Sequence, residues 1–308
     1  MAIAAGAIYV CAAVAVALIV KGGDEGGSAA SEGSESADEA LFAYDATRPL
    51  EVAERERTAR REVTYSSFDG RRVRAVFAPP AGETGPYRCV IFQGGITYTL
   101  EDFEVLAPLR RLGYAVLSVQ PRSSGDGGQN QLRAAADPRR LKRMMRATVI
   151  DLRRGVDYLL ASGDCEPGIG YIGGSFGGML GALLAGVDER VSAVALIVAG
   201  GDWRRLVIGN EILLPGIEDR ARRFRAARRL LAPVDPAHWV GRISPRPLLM
   251  VNGRFDPLIV PPAARALHQA AAEPKQVAWL PGGHYLFDGA SLQRRAFALI
   301  GGFFRRQL

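Results

Sequence analysis

One serine in this chain sits in a run that chemistry can use: Gly173-Gly174-Ser175-Phe176-Gly177-Gly178. An apolar stretch at 169–173 precedes it and a small-residue stretch at 177–184 follows it, so the serine falls at a strand-to-helix junction. Glycine on either side permits a turn that a Cβ would block. The turn pushes the serine hydroxyl out of the sheet, and the helix N-terminus behind it offers backbone N–H groups to a negative oxygen. A hydroxyl so placed becomes a nucleophile once a base takes its proton. The chain has three histidines. His268 lies within a helical pattern and reads as a helix-surface residue, while His238, before Trp239, reads as packed or capping. His284, in Pro281-Gly282-Gly283-His284, stands in a loop between the last apolar run and the last helical pattern, where it is free to lean over a sheet edge. Asp256, in Asn252-Gly253-Arg254-Phe255-Asp256-Pro257, follows the apolar run 248–251 and is the acid expected to orient His284. Asp202, after the run 191–198, is the rival acid, and Asp288 comes after the histidine.

The elements that must hold these groups alternate in period. Residues 62–68 and 73–77 alternate as strands around Asp69-Gly70, a hairpin turn. Residues 89–92, 115–119, 169–173, 191–198, 248–251 and 277–280 read as further strands. Helical spacing falls at 103–112, from Asp137-Pro138 to about 160, at 177–184, 263–272 and 292–304. A hairpin followed by strand and helix in alternation predicts an α/β fold: a mostly parallel, twisted sheet of about eight strands with helices on both faces. The segment 203–240, between two strands, exceeds a simple connection and is expected to form a small helical cap. It is rich in arginine, read as a solvated helix face.

Together the three motifs resemble the α/β-hydrolase superfamily, especially dienelactone-hydrolase-like esterases and the catalytic domain of prolyl-oligopeptidase-like enzymes, over roughly 62–308. Gly173-Gly174-Ser175-Phe176-Gly177 resembles the nucleophile elbow, Gly253-Arg254-Phe255-Asp256-Pro257 the acid loop and Gly282-Gly283-His284 the histidine loop. The order serine, aspartate, histidine is that of this fold. One position departs from the pattern: where the family often has His-Gly-Gly after the first parallel strand, this chain has Gln93-Gly94-Gly95-Ile96. The resemblance implies an oxyanion hole from the Phe176 and Gly95 N–H groups, with Ile96 as the alternative donor. It implies a serine hydrolase that cleaves a carboxylic ester through an acyl-enzyme and needs neither metal nor cofactor. A serine peptidase acting on short peptides is the second reading, and a catalytically silent binding module the third.

The remaining features bear on where the chain works. It has 308 residues, 48% hydrophobic, with a net charge of +7. No nucleic-acid motif accompanies the positive charge, so no nucleic-acid partner is expected. Residues 1–20 carry no charged side chain, and twenty residues at about 1.5 Å rise span a hydrocarbon core of about 30 Å. The segment 1–21 therefore reads as a transmembrane anchor or a signal, with secretion after cleavage as the alternative. Residues 22–41, built from Gly, Ser, Ala and acidic residues, read as a disordered linker, and the domain as 42–308, exposed outside the cytoplasm. Cys11, Cys89 and Cys165 show no metal spacing, and a Cys89–Cys165 bond is left open.

Overall fold

A computed structural model describes residues 35–96, 98–122, 138–208, 220–286 and 289–308. The segment 1–21 and most of the linker lie outside these residues. Among the described residues no helix is long and apolar enough to cross a membrane.

Among the described residues nine strands form one sheet in the order β1-β2-β3-β5-β4-β6-β7-β8-β9. They run β1 Ala53–Arg57, β2 Arg60–Ser66, β3 Arg72–Ala78, β4 Tyr87–Gln93, β5 Tyr114–Val119, β6 Cys165–Gly174, β7 Val191–Ile197, β8 Leu248–Gly253 and β9 Lys275–Leu280. The first three form an antiparallel meander, and β3 pairs antiparallel with β5. From β5 onward every pairing is parallel. The central strands are apolar almost throughout because helices cover both faces.

The ninth strand is β1, Ala-Glu-Arg-Glu-Arg, exposed along its whole length. Without an apolar residue to bury it has no strand periodicity. Backbone pairing to β2 and the ion pairs Arg61–Glu54 and Arg57–Glu62 hold it in place.

One face of the sheet is covered by the helices Pro138–Ser162, Phe176–Val187 and Pro261–Ala270, which bury Leu152, Leu183 and Leu267 against Ile91, Leu117 and Leu196. The other is covered by the 3-10 helix Leu100–Leu106, the short helix Ala107–Arg111 and the C-terminal helix Ala290–Gln307. There Leu109, Ile300 and Phe303 pack on Val90, Val116 and Ile172. The single helix expected at 103–112 is thus a 3-10 turn that changes to α-helix at Ala107.

Cys89 and Cys165 are joined by a disulfide with the Cα atoms 5.6 Å apart, which ties β4 to the start of β6. The described part of 203–240 is helical, at Trp203–Ile208, Arg220–Leu231 and Pro236–Trp239; 209–219 lie outside the described residues. The helix Arg220–Leu231 packs against Pro138–Ser162. The end of the expected linker differs from its sequence reading. Residues Glu35–Ala40 form a helix whose Asp38 and Glu39 carboxylates bond His238 and Arg242, and Phe42 is fully buried. Acidic composition left this piece without a core of its own; it sits beside the buried Phe42, with its carboxylates paired to basic side chains on the domain.

Candidate active site

Ser175 follows β6 and leads into the helix Phe176–Val187 with φ +56° and ψ −118°. That region is costly for a residue with a Cβ. One hydrogen bond and three close backbone approaches hold the turn. The Ser175 N–H donates to the Ile197 carbonyl at 2.8 Å, extending the β6–β7 ladder by one residue. A Cβ on Gly173 would overlap the Gly177 carbonyl, and one on Gly177 would overlap the carbonyl of Gln93. A third, on Gly178, would come within 2.8 Å of the Ala199 Cβ. The glycines are therefore what lets the helix sit close enough to β4 and β7 for the serine to stand out.

The other two side chains converge on it from the same sheet edge. His284 lies beyond β9, and its Nε2 is 2.8 Å from Ser175 Oγ. Asp256 lies beyond β8, with Oδ2 and Oδ1 at 2.9 and 3.1 Å from His284 Nδ1. Because the carboxylate only accepts, Nδ1 carries the hydrogen, and Nε2 is left to accept from the serine hydroxyl. Asp256 Oδ1 also accepts from the Leu258 and Ile259 N–H groups, each at 2.8 Å. These two donors fix the carboxylate, and burial of both Asp256 and His284 keeps water from competing for the bond. A Cβ on Gly253 would meet the Gly282 carbonyl at 2.5 Å, so the acid and histidine loops approach each other through glycine.

Gly95 lies beside the nucleophile: a Cβ there would sit 3.6 Å from Ser175 Cβ and 3.9 Å from Oγ. Phe176 heads its helix, where the first N–H groups lack helical acceptors. The turn after β4 is tied by Tyr98, whose N–H donates to the Gly95 carbonyl at 3.0 Å and whose ring is edge-on to Phe92. Ile96, the alternative donor, occupies the same turn. Gln93 is fully buried and, by strand alternation, falls on the face of Cys89 and Ile91, opposite Phe92.

The rival acid Asp202 is turned elsewhere. Its carboxylate accepts from the Arg204 N–H and pairs with Arg205 at 3.0 Å. Asp288 lies outside the described residues. His238 bonds Asp38 and is edge-on to Trp239. His268 is not a helix-surface residue. It is buried, its Nε2 lies 2.9 Å from Asn252 Oδ1, and its ring is edge-on to Trp279. Burial, with Lys275 and Arg265 nearby, lowers its pKa to about 4.

Beside Ser175 and His284 opens a cavity of about 470 Å³, lined mainly by apolar side chains. No described residue of 203–240 lines it; the walls come from the β4 turn, 102–109, the strand ends and the C-terminal helix. Val198 is a wall residue that sequence reasoning did not single out. It is β-branched at φ +45°, held by a bond from its N–H to the Val251 carbonyl at 2.7 Å. Nothing in its local sequence signals that backbone.

A half-meandering, half-parallel sheet with helices on both faces, an elbow serine after β6 and a histidine after the last strand together define a serine hydrolase of the α/β-hydrolase superfamily. The sequence profile of the prolyl oligopeptidase family matches residues 100–308, and the chain belongs to that family. No curated protein sequence matches it. Among solved structures, an acetyl xylan esterase from Paenibacillus sp. R4 is 20% identical with a TM-score of 0.65, over 89% of this chain and 93% of that one. A Mycobacterium tuberculosis puromycin-hydrolyzing peptidase is 21% identical with a TM-score of 0.63, over 83% of this chain and 41% of that one. Acetyl xylan esterase 1 from Thermoanaerobacterium sp. is 16% identical with a TM-score of 0.63, over 86% and 92%. At such identities the likeness is one of fold.

Proposed function

We propose that this chain is a carboxylic-ester hydrolase that works through an acyl-enzyme on Ser175, with His284 as base and acid and Asp256 as the group that orients it. The observation that carries the reading is the unbroken relay from Asp256 through His284 to Ser175 Oγ, at 2.9 and 2.8 Å. As Oγ attacks the ester carbonyl carbon, its proton passes to His284 Nε2. The imidazolium is stabilised by Asp256, and the carbonyl oxygen, now negative, is received by the Gly95 and Phe176 N–H groups. Collapse breaks the bond to the alcohol, which takes the Nε2 proton and leaves. Water then repeats the attack on the acyl carbon, gives its proton to Nε2, and the proton returns to Oγ as the acid departs. The sum is ester plus water giving acid plus alcohol.

The cavity favours an ester over a peptide. Among its described lining residues Asp102 is the one carboxylate, and no lysine or arginine is present to hold a peptide carboxylate. For location, a disulfide between Cys89 and Cys165 fits an oxidising compartment. This supports a domain that works outside the cytoplasm, a reading the apolar segment 1–21 also favours.

A fluorophosphonate probe applied to the full chain, beside Ser175→Ala and His284→Ala, tests the chemistry. Labelling of the wild type, lost in both variants together with p-nitrophenyl acetate hydrolysis, is the expected result. A folded wild type that takes no label makes the chain a binding module. Label with faster turnover of alanine p-nitroanilide than of the ester makes it a peptidase.

A further inference from the structure

The cavity beside Ser175 does not stay at the surface. It reaches Leu106, Leu109 and Ile300, each no more than 2% exposed, which belong to the core layer between the sheet and its covering helices. Phe92, Val105 and Phe297 line it as half-buried side chains. An apolar cleft of about 470 Å³ lies within the size range of sites that enclose a small ligand. It is larger than an acetyl group needs, and its walls offer such a group little to bind.

We infer that this slot is an acyl pocket and that the substrates are esters of straight, medium-length aliphatic acids, with acetyl esters poorer. The inference rests on the ester-hydrolase reading above. Of the two arms of an ester, the acyl arm stays bonded to Ser175 through the second half of the reaction, while the alcohol must depart once His284 protonates it. A slot that ends among buried leucine and isoleucine side chains suits the arm that stays. Its walls offer apolar contact along its length, so each methylene that enters leaves water. Asp102, exposed and also lining the cavity, disfavours an acyl chain that carries a carboxylate. The chain ends when the slot is full, which sets an optimum length.

The test is the ratio of kcat/KM across p-nitrophenyl esters from acetyl through butanoyl, hexanoyl and octanoyl to dodecanoyl, with the full chain in detergent below its micelle concentration. Each methylene buried should raise kcat/KM about two- to fourfold, or about 16- to 250-fold from acetyl to hexanoyl, with a fall by dodecanoyl. Val105→Trp fills the slot and should lower the octanoyl-to-acetyl ratio at least about tenfold. Phe297→Ala, at a half-buried position, should move the optimum to a longer chain, so a folding failure of the first variant leaves the second as a reading. A wild type that still takes the fluorophosphonate label but hydrolyses acetyl esters fastest overturns the acyl pocket and leaves the ester-hydrolase reading standing. A rise with the length of the alcohol at fixed acetyl assigns the slot to the leaving group and overturns it too. So does an optimum that neither variant moves. Absence of both label and hydrolysis overturns the function, and the pocket falls with it.

Discussion

Gly177 is as constrained as the serine two positions before it. A methyl there would overlap the carbonyl of Gln93, the residue that leads into Gly94-Gly95. Gly177→Ala must therefore push the Gly95 turn away from Ser175 or push the helix off β4. Either displaces a proposed oxyanion donor, and turnover should fall about 10²–10³-fold, measured as kcat on the best ester beside a thermal melt. An unchanged kcat in a folded variant would show that Gly95 is no donor. At Asp256 the expected effect lies on the histidine. Asp256→Asn keeps the shape but presents an amide that can donate to Nδ1 and favour the wrong tautomer, so kcat should drop about 10³–10⁴-fold. Fluorophosphonate labelling should slow in parallel. The residues that meet at the site were readable because each stands in a glycine-marked loop after an apolar run: Gly173 and Gly177 around the serine, Gly253 before the acid, Gly282-Gly283 before the histidine. Val198 was not, because a positive φ at a valine arises from the tertiary bond to Val251 and leaves no mark on neighbouring residue types.

Two elements are joined by chemistry that local pattern did not reveal. His268, on the helix Pro261–Ala270, faces Asn252 on β8, whose side-chain N–H₂ donates to the Ala199 carbonyl at 2.9 Å. Asn252 Oδ1 is thereby turned to accept, so His268 Nε2 carries the hydrogen of this bond. Helical spacing shows that a residue repeats on one face but not which histidine of a mixed face turns inward, and this is why His268 read as a surface residue. Its pKa, lowered by burial to about 4 from 6.5, makes the folded state favour the neutral ring. The stability this brings is complete above about pH 6.5 and is lost as pH falls towards 4. The unfolding free energy from urea titrations should drop across that window, by about 2 kcal/mol once partial solvent screening is allowed for. His268→Gln keeps a donor for Asn252 and does not titrate, so its profile should be flatter than that of the wild type across this window. Parallel profiles would place the acid sensitivity elsewhere. β4 and β6 are likewise joined by Cys89–Cys165, a link across 76 residues of chain. Cys89→Ala with Cys165→Ala should cost about 2–5 kcal/mol, read as a lower urea midpoint than that of the oxidised wild type and equal to that of the reduced one. β1 shows the converse limit: a strand with little to bury carries no periodicity, and its place comes from pairing to β2 and from Glu54, which accepts from the Tyr158 hydroxyl at 2.6 Å.

At the scale of the molecule, the stretch from Glu35 to Leu50 works as a strap across helices far along the chain. Phe42 is fully buried, edge-on to Trp239 with ring centroids 5.3 Å apart. The carbonyls of Leu41, Phe42 and Arg48 accept from Arg146, Arg153 and Arg154, all on the helix Pro138–Ser162. Tyr44 donates to Asp157, which also pairs with Arg154 and Arg190. The strap thus supplies one acceptor, the Arg48 carbonyl, for Arg154, a guanidinium buried to 1% exposure whose other partners are the Ser66 carbonyl and Asp157, and a buried charge that loses a partner is expensive. The charges at its start contribute differently. Glu39 and His238 are exposed, at 62% and 43% of their side-chain surface, so their pairs with Arg242 and Asp38 lie largely in water. Such pairs are worth at most about 1 kcal/mol, whereas truncating a buried phenylalanine costs about 3–5 kcal/mol. Two substitutions in the full chain separate the contributions. Asp38→Asn with Glu39→Gln should leave the melting temperature within about 3 °C of the wild type, while Phe42→Ala should lower it by about 8–15 °C. If the acidic pair proved the costlier loss, charge rather than the Phe42 anchor would be what seats the strap. If neither moved the melt, the domain would hold its core without residues 35–50.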